Sequence, residues 1–222
     1  MDLISLKDVS FGYGSSDAII KNINLNVAEG EFLCIVGENG SGKSTLIKCI
    51  LGLNKVTKGE IQVLGRIGYL PQMTEIQNNF PATIEEVVLS GTIPNHVRSI
   101  WYKKEDKEKA YSIMKELEIY DIRKKCFSDL SGGQKQRVLI ARAICATEKI
   151  ILLDEPVNGL DPKIVMQIYK LLRKLNKEGL TIVMVSHDID RAIKYCTRVV
   201  EVQNGVIVKN CLPNEYLGGD LK

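Results

Sequence analysis

One short stretch, Gly37–Thr45, constrains the fold of this chain more than any other feature. It reads Gly-Glu-Asn-Gly-Ser-Gly-Lys-Ser-Thr and fits the P-loop pattern G-x-x-x-x-G-K-[ST]. The apolar run Phe32–Val36 before it predicts a buried strand, and helix-forming residues with apolar spacing follow at Leu46–Leu53. Because glycines let backbone N–H groups approach an anion at a helix N-terminus, this strand, loop and helix together predict a phosphate site.

Several positions of the loop have a predicted chemical role. Lys43 can place a positive charge between the outer phosphates, and the hydroxyl of Ser44 can ligate Mg2+. The alternative is a glycine-rich turn before a helix, with no ligand. The candidate nucleotide-binding residues of the loop are Gly37, Glu38, Asn39, Gly40, Ser41, Gly42, Lys43, Ser44 and Thr45.

The composition limits the class of protein. The chain has 222 residues, of which 45% are hydrophobic, and this predicts one α/β domain or one domain with an inserted lobe. The net charge of +3 is too small to indicate nucleic-acid binding. No apolar run approaches the roughly 20 residues of a membrane span, and the N-terminus does not resemble a signal peptide. The six cysteines include no Cys-x-x-Cys pair, so we expect buried free thiols in a reducing cytosol rather than a metal cluster or disulfide frame.

Apolar patterns divide the chain into an α/β core and a helical insertion. Strands are predicted in the first 72 residues, where Leu3–Ser10 and Ile19–Val27 alternate and should pair antiparallel. Residues 73–140 lack a strand pattern and contain a helix capped by Thr83 and an amphipathic helix over Lys104–Glu118. We expect residues 73–140 to form a helical subdomain inserted into a core of residues 1–72 and 141–222, with His96 at the surface.

The remaining elements have simple signals, although the tail from Leu212 onward has none. Further strands are predicted at Ile61–Leu64, Arg66–Leu70, Ile150–Leu153 and Leu180–Val185, helices after Asp161-Pro162 and over Asp188–Tyr195, and a hairpin of Val199–Val202 and Val206–Lys209 around Asn204-Gly205. Continuous apolar runs such as Ile150–Leu153 are typical of parallel strands that are covered on both faces.

Polar residues follow three of these strands. Asp154 comes directly after a buried strand and is a candidate Mg2+ ligand, and Glu155 could orient or deprotonate a water molecule. His187 follows the next strand, which should lie beside the P-loop, so it could contact the γ-phosphate. The amide oxygen of Gln72 could reach Mg2+ or the water. The alternatives are a turn after a strand for Asp154 and Glu155, a structural histidine, and a turn residue at Gln72.

A second anion site is predicted before the strongest helix pattern of the chain. Ser131, Gly132, Gly133 and Gln134 precede the helix-forming run Lys135–Ile144. The free N–H groups and the helix dipole there favour an anion, although an N-cap alone would explain the same residues. Two phosphate cradles with a single Lys43 suggest that two chains share each nucleotide.

Together these motifs resemble the ATP-binding cassette (ABC) ATPase family over nearly the whole chain. Gly37–Thr45 is similar to Walker A, and Ile150–Asp154 with Glu155 to Walker B and the catalytic glutamate. Leu130–Gln134 matches the signature motif, which is the most specific of these features. Three further positions of the family pattern are filled by Gln72 (Q-loop), Asn158–Asp161 (D-loop) and His187 (switch histidine). Tyr13 falls where the family has an aromatic residue that stacks on adenine; Phe11 is a weaker choice for that role, and a strand-edge tyrosine is the alternative for Tyr13.

The resemblance implies a P-loop NTPase core with a mainly parallel sheet, an N-terminal antiparallel β subdomain and an inserted helical subdomain. It implies a chain that binds Mg-ATP, hydrolyses it and dimerises head to tail, with Walker A of one copy facing Ser131–Gln134 of the other. It also implies a peripheral protein on the cytoplasmic face of the membrane. Its partners would be integral membrane permease subunits and, indirectly, an extracytoplasmic solute-binding protein, but no nucleic acid.

Finer cues point to a subfamily. Ile67–Gln72 followed by Phe80–Val88, and Ser186–Asp188 followed by Ala192, Tyr195 and Cys196, are similar to the ATPases of zinc and manganese importers. The alternatives are another ABC importer or exporter, or a non-transport ABC ATPase, whereas a small P-loop kinase is disfavoured by the signature motif. Glu38 replaces a common Pro, and Val157-Asn158 replaces a commoner Thr-Ser. Neither change removes a catalytic group, so we expect an active ATPase.

Overall fold

The computed structural model describes residues 1–13, 18–72, 81–93, 102–147 and 149–218. Phe80 and His96, and with them part of the predicted helical segment, lie outside the described residues. The strands are β1 (Asp2–Phe11), β2 (Ile20–Ala28), β3 (Phe32–Val36), β4 (Lys58–Val63), β5 (Ile67–Leu70), β6 (Ile150–Asp154), β7 (Thr181–Val185), β8 (Arg198–Gln203) and β9 (Val206–Cys211). The helices are α1 (Lys43–Ile50), α2 (Ile84–Ser90), α3 (Lys104–Glu116), α4 (Gly132–Cys145), α5 (Pro162–Lys177), α6 (Ile189–Ala192) and α7 (Pro213–Gly218).

The core of the molecule is a six-stranded sheet with the order β5-β6-β7-β3-β8-β9. All of its pairs are parallel except the β8–β9 hairpin. Alternate residues of β6 face opposite sides: Ile150 and Leu152 join one buried cluster, and Ile151 and Leu153 join the other. Since both faces of β3, β6 and β7 are covered, these three strands are almost entirely apolar, as predicted. Burying each apolar side chain contributes about 1.5–3 kcal/mol.

One face of this sheet is covered by α1 and by a second, three-stranded sheet of order β2-β1-β4. Both of its pairs are antiparallel, which confirms the pairing predicted for the first two strands. The two short strands predicted on either side of Gly65 belong to different sheets, because β4 pairs with β1 whereas β5 pairs with β6.

The buried cluster on the opposite face contains residues of α2, α3 and α4, and also of α5 and α6, which lie outside the segment predicted to be a helical insertion. Thr83 caps α2 in a reciprocal capping box with Glu86, which confirms the predicted N-terminus. Helix α3 buries Ala110, Ile113 and Met114, the apolar positions predicted from the spacing. In the described parts of 81–140, one isolated bridge, Thr83 to Cys126, is the sole β pairing. The division into core and helical subdomain stays a prediction.

Some boundaries differ from the sequence prediction. Helix α1 begins at Lys43 rather than Leu46, and α6 ends at Ala192, three residues before the predicted end. The tail forms α7, which the sequence did not indicate; Tyr216 Oη donates to Glu201 Oε2 at 3.1 Å and anchors it to β8. A Pro followed by a single polar turn is too short to give helical periodicity.

The cysteines are all free thiols; four are buried, but Cys126 and Cys211 are only half-buried. Within the described residues, no helix is both long and apolar enough to cross a membrane.

Candidate functional site

The P-loop joins the carboxyl end of β3 to the first turn of α1, as its pattern predicted. Gly37 has φ 145°, and a Cβ atom there would meet the backbone oxygen of Val202 on β8, so only glycine fits. Gly42 is the N-cap of α1 at φ 105° and provides no side-chain hydrogen bond to the helix. The first N–H groups of α1 are therefore not capped by a side chain at this position, and an anion can accept them.

Lys43 is buried within this loop, with an exposed fraction of 5%. Its Nζ atom donates to the backbone oxygens of Gly37 at 2.8 Å and of Glu38 at 2.7 Å. Burial lowers the pKa of Lys43, while the nearby carboxylates of Glu155 and Asp154 oppose that shift. The loop backbone thus fixes the position of the Lys43 ammonium group, where it could contact the oxygens of a bound phosphate.

Asp154 ends β6 and lies beside the start of α1. Its side chain is buried, and Ser44 Oγ donates to Asp154 Oδ1 at 3.3 Å. Burial raises the pKa of Asp154, and the Ser44 hydrogen bond works against this rise. A buried carboxylate next to a hydroxyl is a hard oxygen donor set that fits Mg2+. The amide oxygen of Gln72 would be a donor of the same kind.

Glu155 lies one residue further on and has a left-handed backbone, with φ 51°. Its N–H donates to the backbone oxygen of Val185 at the end of β7, at 3.1 Å. The Oε2 atom accepts hydrogen bonds from Gln72 Nε2 at 3.3 Å and Asn158 Nδ2 at 3.1 Å, and His187 Nδ1 lies 3.8 Å away. A non-glycine residue with this φ costs energy, and such strain is common at functional sites.

Most of these side chains open into one cleft of about 660 Å³, whereas Asp154 does not belong to its described lining. The predicted residues that line it are Asn39, Gly40, Gly42, Lys43, Ser44, Thr45, Gln72, Glu155 and His187. They come together because β5, β6, β7 and β3 are parallel, so their carboxyl ends meet at one edge of the sheet. His187 does follow the strand next to β3, as predicted. Gln72 follows β5, the edge strand, yet still contacts Glu155.

Other predicted residues do not belong to the described lining of this cleft. Tyr13 is 55% exposed, packs edge-on against Phe11 at 4.9 Å and accepts from Asn54 at 3.5 Å. Asp161 is the N-cap of α5, where it accepts from the N–H of Lys163. Their nucleotide contacts stay predictions.

Residues Ser131–Gln134 begin α4, also away from this cleft. The side chains of Ser131 and Gln134 form a capping box, so the alternative role as an N-cap is realised. Beside it, Gly132 faces open space, since a Cβ atom at this position would meet no described atom within 4 Å. An anion site on this surface remains a prediction.

Asn158 and Ile19 also line the cleft, and sequence reasoning did not assign either of them to the site. Asn158 had a signal, since it is the first residue of the predicted D-loop and lies three residues after Glu155. Ile19 had none, because its position depends on how β2 packs beside the P-loop.

A P-loop at the end of a central parallel strand, with a buried carboxylate against its serine, defines the class of P-loop nucleotide-binding proteins. The family model described as "ABC transporter" matches residues 20–158, which is more than half of the chain. The chain belongs to the ABC transporter family, as an ATP-binding and ATP-hydrolysing subunit.

Curated relatives of equal identity carry different substrate names. The "Probable metal transport system ATP-binding protein" of Thermotoga maritima is 37% identical over 90% of this chain and 81% of its own length. The phosphonates import ATP-binding protein PhnC of Staphylococcus aureus (strain USA300) is also 37% identical, over 94% of this chain and 88% of its own length.

Solved structures share the fold. A transporter described as being of the metal-chelate type, in an inward-facing conformation, has a TM-score of 0.86 and 28% identity, covering 98% of this chain and 86% of that chain. A dimeric post-hydrolysis cassette bound to ADP and Pi has a TM-score of 0.81 and 33% identity, covering 95% of this chain and 98% of that chain.

Proposed function

We propose that this chain hydrolyses Mg-ATP to energise the import of a divalent metal ion, zinc or manganese, across the cell membrane. The observation that carries the hydrolysis is the Glu155 carboxylate, which shares one cleft with Lys43 and His187. The metal substrate rests on the subfamily cues at Ile67–Gln72 and Ser186–Asp188 and on relatives named for metal transport.

In the proposed reaction, Glu155 accepts a proton from a water molecule, and the water oxygen attacks the γ-phosphorus of ATP. The bond to the β–γ bridging oxygen breaks, and ADP and phosphate leave. Lys43 stabilises the charge on the outer phosphates, and His187 contacts the γ-phosphate. Ser44, Asp154 and the oxygen of Gln72 would hold Mg2+, which offsets phosphate charge when bound.

The site is proposed to be completed by a second copy of the chain. Residues Ser131–Gln134 begin α4 outside the cleft lining, and Gly132 faces open space, so this surface is accessible to a nucleotide held by another P-loop. A dimeric cassette is among the similar structures. Tyr13 would stack on the adenine, and Asp161 would lie near the nucleotide across the dimer.

Coupling to transport requires further partners. We propose that integral membrane permease subunits bind the cassette pair at the cytoplasmic face of the membrane, and that a solute-binding protein outside delivers the ion to them. Co-purification with a polytopic membrane protein tests this assembly. Stimulation of hydrolysis by nucleic acid or ribosomes would instead support a non-transport role.

The variant Glu155→Gln tests the catalytic role. A neutral amide cannot accept the proton, so we expect turnover to fall about 100-fold or more while ATP binding is retained. Gel filtration with ATP should then show a trapped dimer. Glu178→Gln, an exposed glutamate at the end of α5, is the control and should behave as wild type. Wild-type turnover by Glu155→Gln would refute the role of Glu155.

The substrate has a second candidate, because the phosphonate importer matches this chain as well as the metal-transport relative does. Cells that carry Glu155→Gln in place of the wild-type chain should lose uptake of radiolabelled zinc or manganese and keep phosphonate uptake. The reverse pattern would replace metal import by phosphonate import and leave the ATPase assignment intact.

A further inference from the structure

Asn158 contacts the proposed catalytic carboxylate directly. Its Nδ2 atom donates to Glu155 Oε2 at 3.1 Å, and its backbone N–H donates to the backbone oxygen of Glu155 at 3.3 Å. The orientation of this amide follows from chemistry, since an ionised carboxylate only accepts hydrogen bonds and must therefore face the nitrogen. Asn158 is exposed and lines the nucleotide cleft, so it is not held there by packing in the core.

Within the part of the chain that the structure describes, two side-chain amide groups donate hydrogen bonds to the Glu155 carboxylate. Glu155 has a strained left-handed backbone, and its side chain is 12% exposed at the floor of the cleft. The donors, Gln72 and Asn158, both bind Oε2, so neither of these amides occupies the other carboxylate oxygen, Oε1. Gln72 comes from the end of β5, whereas Asn158 belongs to the same tight turn as Glu155.

We propose that Asn158 is a positioning residue for ATP hydrolysis: its Nδ2 holds Glu155 Oε2, so that Oε1 faces the attacking water and takes its proton. This inference rests on the proposed role of Glu155 as the base. It assigns a function to a position at which this chain departs from the commoner Thr-Ser of similar cassettes. A purely structural role in the turn would need the size of the side chain but not its N–H group.

The variants Asn158→Ala and Asn158→Asp separate these roles in the full-length chain, purified with its membrane partners where they co-purify. Asn158→Asp keeps the shape and replaces the donor by a like charge beside Glu155. We expect kcat to fall about tenfold in Asn158→Ala, equivalent to about 1.4 kcal/mol, and further in Asn158→Asp. The KM for ATP should stay within about twofold, because the residue acts on the attacking water rather than on binding. Asn210→Ala and Asn210→Asp, at an exposed asparagine on β9, are the matched controls.

The same substitutions in the Glu155→Gln background complete the test. If Asn158 acts through Glu155, Asn158→Ala should cause no further loss there, so the two effects are not additive. Wild-type kcat in both Asn158 variants, or a loss in Asn158→Ala that Asn158→Asp restores, would overturn the positioning role while leaving Glu155 as the base. Wild-type turnover by Glu155→Gln alone would overturn the base and the positioning role together.

Discussion

Gly68 on β5 provides a sharp test of how α4, the helix that begins at the Leu130–Gln134 motif, packs against the central sheet. Gly68 pairs with Ile151 on β6, and its backbone packs closely against Ala143 of α4. A Cβ atom at Gly68 would lie 2.1 Å from the backbone oxygen of Ala143 and 3.0 Å from the side chain of Thr147. Gly68 has no positive φ, so Gly68→Ala adds a steric clash without adding backbone strain. Because the nearer atom is backbone, α4 itself must move by about 1 Å to restore an ordinary contact.

Overpacking of this kind costs about 1–3 kcal/mol, and a clash between two backbones belongs near the upper value. For a chain of this size, each kcal/mol lowers Tm by about 2–4 °C, so Gly68→Ala should lower Tm by roughly 6–12 °C. Differential scanning calorimetry of the nucleotide-free chain measures this shift. Gly218→Ala is the control, since a Cβ there meets no described atom within 4 Å. A Tm within about 1 °C of wild type would show that β5 and α4 are not in this close contact.

Two further substitutions test the phosphate and metal sites. Lys43→Ala removes the buried ammonium group and should weaken ATP binding about 100-fold, or about 2.7 kcal/mol, as measured by isothermal titration calorimetry. The control is Lys48→Ala, on the exposed face of α1, which should bind ATP as wild type does. Equal affinities of the two variants would refute the role of Lys43. Asp154→Asn should abolish Mg2+-dependent hydrolysis yet raise the thermal stability of the nucleotide-free chain, because burial raises the pKa of Asp154 and its charge opposes folding. That gain should be largest at neutral pH and should shrink as the pH falls through the raised pKa of Asp154, where the wild-type carboxyl becomes protonated; a gain that did not change with pH would contradict this cause.

The sequence predicts the central sheet well because burial on both faces removes the ambiguity of apolar patterns. Ile150–Asp154 and Thr181–Val185 contain few or no charged residues, since each apolar side chain meets a hydrophobic cluster. The P-loop is equally predictable, because the close approach of Gly37 to β8 and the left-handed φ of Gly42 leave glycine as the residue that fits. Parallel strands then place the residues after them at one edge, which brings His187 and Glu155 together.

Contacts that depend on the order of strands or on side-chain rotamers are not written in the local pattern. Gln72 follows an edge strand, and no rule of spacing places its amide against Glu155. Asn158 has the composition of a turn residue, which hides its contact with a carboxylate. The left-handed φ of Glu155 is likewise invisible, because sequence reasoning expects glycine or asparagine where φ is positive.

The two helix N-termini predicted to bind phosphate differ in a way that bears on the shared site. Helix α1 has no side-chain cap at Gly42, whereas at α4 Ser131 Oγ accepts from the N–H of Gln134 at 3.4 Å. A serine hydroxyl can accept one hydrogen bond and donate another, so Ser131 can keep its capping role and still donate to a phosphate oxygen. The N–H groups of Gly132 and Gly133 add the positive end of the helix dipole. A capped helix is therefore compatible with the proposed second half of the nucleotide site. The Ser131 side chain thus caps α4 within the chain itself, whereas Gly42 offers the first turn of α1 no side-chain cap and leaves its N–H groups open to phosphate oxygens.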